Sequence, residues 1–260
     1  MTIDFLWRNL RELPYFRGTL RSVEARLMAP VALPEPTLDI GAGDGHFAST
    51  TYPHRLDAGI DPSLASLREA KGRAAYRLLL QAEGARLPFA DHSFASAISN
   101  SVLEHIPGLQ AVLNEVGRVL QPGAPFAITV PNPGYRSQLS LPAWLRRIGL
   151  RRMSVAYADW FMGMSRTVNL LDEAGWAACF AEAGFEIEAS QPYFSPSALH
   201  MLEWGHFLGA PTLLPRLLFG TWILVPTRWN LVLTDKLVRR YYLEPLPDDG
   251  TYTFFLARKH

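Results

Sequence analysis

The stretch LDIGAGDGHFA, Leu38 to Ala48, narrows the choice of folds more than any other: a short apolar run ends in Gly41, Gly43 and Gly45. That is the pattern of a buried strand turning tightly into a helix, with backbone exposed to a ligand. The alternation continues downstream, where RLDAGID, YRLLLQAE, FASAISN and PFAITVP read as strands and SLASLREA and GLQAVLNEVGRVL as helices among them. Parallel strands need crossover connections, so this order predicts an α/β fold with a doubly wound, mostly parallel sheet. Pro122 and Gly123 stop the helix before PFAITVP. Farther on, Asp172 caps a helix, Gly184 ends it, FEIEASQ alternates as a strand should, and TYTFFLARK is the last strand.

Ahead of the first strand, Phe5, Leu6, Leu10 and Leu13, then Leu20, Val23 and Leu27, recur at helical intervals. Pro14 and Gly18 break that run, which predicts two short N-terminal helices. Two irregular stretches, one after Pro131 and one from Ser195 to Pro247, read as insertions in a single domain of 260 residues. With a formal net charge of +1 and 19% charged residues, no basic excess calls for nucleic acid. The single cysteine, Cys179, leaves no disulfide framework and too few thiolates for a cysteine metal site, which suits a reducing cytoplasm. Asp4, Arg8, Arg11 and Glu12 interrupt the N-terminal run where a secretory signal needs an apolar core, so a cytoplasmic location is expected.

What binds at the glycine turn is decided by charge. A dinucleotide would bring a pyrophosphate, usually to a G-x-G-x-x-G turn, but here the spacing differs and Asp39 and Asp44 would repel phosphate. S-adenosylmethionine brings a sulfonium and an ammonium, for which carboxylates are favourable partners. The turn therefore points to that cofactor and away from a nicotinamide dehydrogenase. A connecting turn in a non-catalytic module that keeps the fold for binding is the bland alternative.

Four motifs, in order from about Pro36 to Pro133, make the chain resemble the class I S-adenosylmethionine-dependent methyltransferases, in particular the small-molecule branch of the ubiquinone and menaquinone type. The resemblance implies a Rossmann-like, seven-stranded sheet with N-terminal helices in 1–35, a cofactor core in 36–133, and helical insertions at 134–170 and 195–247 forming a substrate cap. In LDIGAGDG it implies Asp39 near the methionine ammonium, and Gly41, Ala42 and Gly43 where backbone approaches the cofactor. In GIDPS it implies Asp61 on the ribose diol, with Pro62 beside it. A carboxylate suits a diol because it accepts two hydrogen bonds at once.

In QAEGARLPFADHSFASAISNSVLEHI, the resemblance puts Glu83 at the adenine amino group, where the family usually has Asp, and Gly84 against the ring. Asn100 falls at the rim where the methyl lies. Glu83 and Asn100 also read as ordinary polar strand ends. A second departure is Ala95, where an Asp is usual, and it is assigned no role.

Methyl transfer needs a general base only when the acceptor starts protonated. His105 in LEHIP is the best-placed imidazole, with loop ordering as its other reading. His200, Glu203 and His206 advance in three-residue steps that spread them too widely on a helix for the i, i+4 pair of a zinc site, so no metal is expected. The acceptor is expected to be a small molecule or lipid, largely apolar, with a phosphorylated or lipid-linked form open. Arg146, Arg147, Arg151 and Arg152 lie in a segment without acids from Asn132 to Ala158, and FLGAPTLLPRLLFGTWILVP is strongly apolar. Pro211, Pro215 and Arg216 would interrupt a membrane span there, which leaves a peripheral membrane contact or an apolar roof.

Overall fold

The computed structural model describes residues 3–260. Its strands are β1 (Thr37–Ile40), β2 (Leu56–Asp61), β3 (Tyr76–Gln81), β4 (Ser96–Asn100), β5 (Pro125–Pro131), β6 (Phe185–Tyr193) and β7 (Tyr252–Lys259). They form one sheet in the order β3-β2-β1-β4-β5-β7-β6, parallel from β3 to β5, with β7 antiparallel to both neighbours.

Helices α1 (Phe5–Leu10) and α2 (Tyr15–Met28) precede the sheet, α3 (His46–Thr51) and α4 (Leu64–Arg73) follow β1 and β2, and α5 (Leu109–Val119) follows β4. The segment between β5 and β6 holds α6 (Gly134–Ser137), α7 (Ser140–Arg147), α8 (Arg151–Ser165) and α9 (Glu173–Glu182). Between β6 and β7 come α10 (Pro196–Leu208), α11 (Leu213–Phe219) and α12 (Arg228–Leu243).

Each sheet face has its own core, because successive strand side chains point to opposite faces. Leu38, Ile40, Phe126 and Ile128 pack with α5 and α9, through residues such as Val112, Val116 and Phe180. Ile98, Ala127 and Phe254 pack on the other face with α1, α2, α10 and α12, through residues such as Leu20, Leu199 and Tyr242. Burial on both faces is why the central strands read as nearly unbroken apolar runs.

One sequence expectation needs correction. Gly18 does not break a helix but sits inside α2, where a Cβ would come within 3.4 Å of the Asn9 carbonyl carbon, so its small size serves the packing of α1 on α2. The two insertions are helical, as the resemblance implies. Leu139 at the N-cap of α7 has no capping side chain, and Glu203 from α10 replaces it by accepting from the Ser140 N–H at 2.6 Å and the Leu141 N–H at 3.2 Å.

The first insertion leaves, and the second leaves and re-enters, at one edge. Tyr252 at the start of β7 pairs with Pro131 at the end of β5 and with Tyr193 at the end of β6. All three lie at the carboxyl edge of the parallel strands, so both inserted segments rise over the end where ligands bind in such sheets.

Candidate functional site

A cleft of about 930 Å³ opens at that edge. Its floor is the turn after β1. Gly41 has φ +83° and a Cβ there would lie 2.5 Å from both methyls of Val102, so only glycine fits. The Gly43 N–H donates to Asp61 Oδ2 at 3.0 Å and the Ser63 N–H to Oδ1 at 2.8 Å, which aims the carboxylate ending β2 along the cleft. Each oxygen keeps a further lone pair for a ligand.

Gly41, Ala42, Gly43, Asp61 and Pro62 line the cleft, as do Glu83, Gly84, Asn100 and His105. Glu83 is exposed and Gly84 sits tightly over Val112, where an added Cβ would meet a methyl at 3.1 Å. Asn100 is committed on both sides: its amide donates to Glu24 Oε2 at 3.0 Å and its carbonyl accepts from Thr129 Oγ1 at 3.0 Å.

Asp39 is the residue that the structure takes out of this set. It is buried beneath the turn, outside the cleft lining, and accepts from the Tyr76 hydroxyl at 2.6 Å. Burial pushes its pKa up to about 7, against the Tyr76 hydrogen bond and with the help of Asp61. The physical reason is strand parity: Leu38 and Ile40 face the α5 core, so Asp39 between them faces the other layer, where Tyr76 lies. Asp44, next along the turn, does line the cleft.

At the other end, His105 closes a short 3-10 turn, Leu103–His105. Its Nδ1 lies 3.0 Å from the Arg166 carbonyl, which can only accept, so Nδ1 carries the proton and Nε2 presents a lone pair in the neutral ring. Partial burial lowers its pKa, with Arg21 and Arg166 adding repulsion. Glu104 is buried, its Oε2 lacks a partner among the described residues, and desolvation pushes its pKa up to about 8. His105 Nε2 is 3.6 Å from Glu104 Oε1.

Sequence reasoning missed the contribution of α2. Arg17 and Arg21 line the cleft, and Glu24 beneath them accepts from Arg21, Asn100 and Ser101. The signal was available: Arg17, Arg21 and Glu24 stand at i, i+4 and i+7 of one helix and mark one polar stripe. The residues once open to a metal reading have other work. Glu203 caps α7, His200 Nε2 meets the Gln138 carbonyl at 2.9 Å, and His206 Nδ1 meets the Leu202 carbonyl at 2.9 Å.

Comparison with known proteins bears on the fold and on residues 38–128. Residues 38–128 match the methyltransferase domain family. An uncharacterized methyltransferase of Mycobacterium sp. (strain JLS) is 28% identical over 174 residues, 66% of this chain and 61% of that protein. Sterol methyltransferase-like 1 of Botryococcus braunii is 29% identical over 160 residues, 61% of this chain and 36% of that protein. The chain thus spans less than two thirds of the length of either relative. The crystal structure of an S-adenosylmethionine-dependent methyltransferase from Thermotoga maritima superposes with a TM-score of 0.56 at 15% identity, over 94% of this chain and 90% of that one, and so shares the fold. Residues 38–128 thus match the methyltransferase domain family, and the chain shares its fold with an S-adenosylmethionine-dependent methyltransferase.

Proposed function

We propose that the protein transfers the methyl group of S-adenosylmethionine to a small, largely apolar acceptor, in the manner of the ubiquinone- and menaquinone-type branch. The observation that carries this reading is the row of carboxylates along one side of the cleft: Asp44, Asp61 and Glu83 follow β1, β2 and β3 beside a glycine turn that admits close backbone approach. That donor set fits a cationic cofactor with a ribose diol and repels a pyrophosphate. S-adenosylmethionine, when bound, supplies an activated methyl carbon and a neutral thioether leaving group. The protein's part is then to align the acceptor and exclude water. Asp61 holds the diol and His105 Nε2 takes a proton from a protonated acceptor.

Calorimetry tests the cofactor half. Asp61→Ala is expected to weaken S-adenosylmethionine by about 1.5–3 kcal/mol, the range for hydrogen bonds to a charged group. A wild-type protein that ignores S-adenosylmethionine overturns the reading.

The cap supports a second element of the proposal, a peripheral membrane contact from which an apolar acceptor is drawn. On α11 and α12, Leu217 and Trp229 are 81% and 74% exposed, and Leu213, Leu218, Leu233 and Leu237 are exposed with them. On α7 and α8, Trp144, Ile148 and Met153 stand in solvent among the exposed Arg146, Arg147, Arg151 and Arg152. Among the described residues no helix is long and apolar enough to cross a membrane, and the apolar run from Phe207 is broken after Leu208 and again after Phe219.

A further inference from the structure

Besides the carboxylates, four guanidiniums line the same cleft: Arg17 and Arg21 from α2, Arg166 just after α8, and Arg216 from α11. Two of them are neutralised. Arg21 donates to Glu24 Oε2 at 2.7 Å, and Arg216 reaches both carboxylate oxygens of Glu69 at 3.1 Å. The guanidiniums of Arg17 and Arg166 have no hydrogen-bond or carboxylate partner among the described residues. Like charges gathered in a partly desolvated cleft cost free energy, and long side chains would otherwise turn to water. Here they are held. Arg17 and Arg216 both sit over the Trp222 ring, 5.8 and 5.9 Å from its centroid.

The four divide by their surroundings. Arg17 shares its neighbourhood with Asp44 on the glycine turn and with Arg216, at the end the cofactor's amino acid would occupy. Arg21 and Arg166 instead flank His105, where the acceptor must meet the methyl. Arg166 is itself kept at a local cost: its backbone is left-handed, φ +54°, at the C-cap of α8, a position where glycine is cheaper. The His105 imidazole clamps its carbonyl at 3.0 Å. Arg21 gives one N–H to Glu24, so four of its five remain for other acceptors. S-adenosylmethionine carries one carboxylate, which Arg17 is placed to meet, and the positive charge of Arg166 beside His105 is then unmatched.

We propose that the methyl acceptor bears an anionic group, a phosphate or a carboxylate, and that Arg166 and Arg21 beside His105 read it. This rests on the methyl-transfer reading above and deepens it. The planar fork of a guanidinium offers two parallel N–H donors to such a group, and together the two residues orient the apolar remainder of the acceptor toward the cap.

Protein saturated with S-adenosylhomocysteine is titrated with dodecyl phosphate, with 1-dodecanol and with butyl phosphate, and binding is followed by calorimetry. Dodecyl phosphate is expected to bind about tenfold or more tighter than dodecanol, the range of charge-assisted over neutral contacts. Arg166→Gln should remove that advantage while S-adenosylhomocysteine affinity stays within about twofold, and Arg166→Lys should restore part of it. Equal binding of dodecyl phosphate and dodecanol overturns the proposal. So does an Arg166→Gln variant that loses S-adenosylhomocysteine as steeply as phosphate, because the guanidinium then serves the cofactor. Butyl phosphate binding as tightly as dodecyl phosphate supports the anion site and assigns a soluble acceptor; binding confined to the long chain supports it and assigns an amphiphile. Failure of S-adenosylhomocysteine to bind the wild type fails the methyl-transfer reading instead, and is seen before any phosphate is added.

Discussion

Removing the Glu24 carboxylate should show how tightly α2 is tied to the site. Glu24 is wholly buried and accepts from Arg21 at 2.7 Å, Ser101 Oγ at 2.7 Å, Asn100 Nδ2 at 3.0 Å and, at 3.4 Å, the Tyr193 hydroxyl. Glu24→Ala leaves those donors facing a void. Breaking a buried ion pair by deleting one partner costs about 3–5 kcal/mol, and the orphaned neutral donors about 1–3 kcal/mol each. Arg21 retains a path to water, with 24% of its side chain exposed, so the lower end, about 3 kcal/mol, is the working value. For a domain of this size that is a fall in Tm on the order of 10 °C. Urea unfolding should show a lower midpoint with an unchanged slope, and Glu24→Gln should fall between, since one carbonyl oxygen still accepts. A loss below about 1 kcal/mol for Glu24→Ala would refute the reasoning, because it would mean that water already satisfies the donors.

Stability should also fall as pH rises from about 6.5 to 8.5. Asp39 and Glu104 have folded pKa values raised to about 7 and about 8 by burial, so the folded state holds their protons more tightly than the unfolded chain, and the advantage is lost as pH climbs through those values. The strongly paired Glu12, lowered to about 2, contributes no slope in that window, whereas burial lowers the pKa values of His105 and His206 and gives the opposite slope below their ordinary value of 6.5, so urea midpoints that stay flat above it would contradict the burial of both carboxyls. Replacing His105 by Ala should cut tritiated-methyl incorporation into a cell extract by about a hundredfold with cofactor affinity retained; activity within a few-fold of wild type would leave His105 as the clamp on the Arg166 carbonyl alone. In sedimentation with vesicles, more protein should pellet with phosphatidylglycerol than with phosphatidylcholine. Neutralising Arg146, Arg147, Arg151 and Arg152 should abolish the difference, at about 1 kcal/mol per charge, and indifference to both vesicles at low salt would remove the membrane contact.

The sheet was legible because its signals are local. TLDI, LDAGID and PFAITVP are buried on both faces and carry that fact in their own composition, and the glycines and carboxylates at their carboxyl ends fall at the ligand edge of any sheet so wound. Asp39 shows where motif reading and physics part. Its place in the motif suggested a cofactor contact, yet the two-residue period of the strand already turned it toward Tyr76 and away from the cleft.

The acceptor half was not legible, because its parts come together only in three dimensions. The capping carboxylate of α7 is 63 residues away in sequence, so the segment lacks the local start signal by which a helix is recognised. The cationic side of the cleft is assembled from positions 17, 21, 166 and 216, of which only the first two share a helix. What could have been read is the stripe of Arg17, Arg21 and Glu24: a helix that buries its apolar face has no reason to place a glutamate within it unless donors wait on the other side, and here Asn100 and Ser101 at the end of β4 supply them. A charged residue inside a helical run beside a cofactor motif is therefore evidence that the helix forms a wall of the site, and in this chain that wall shares the cleft with His105 and Arg166.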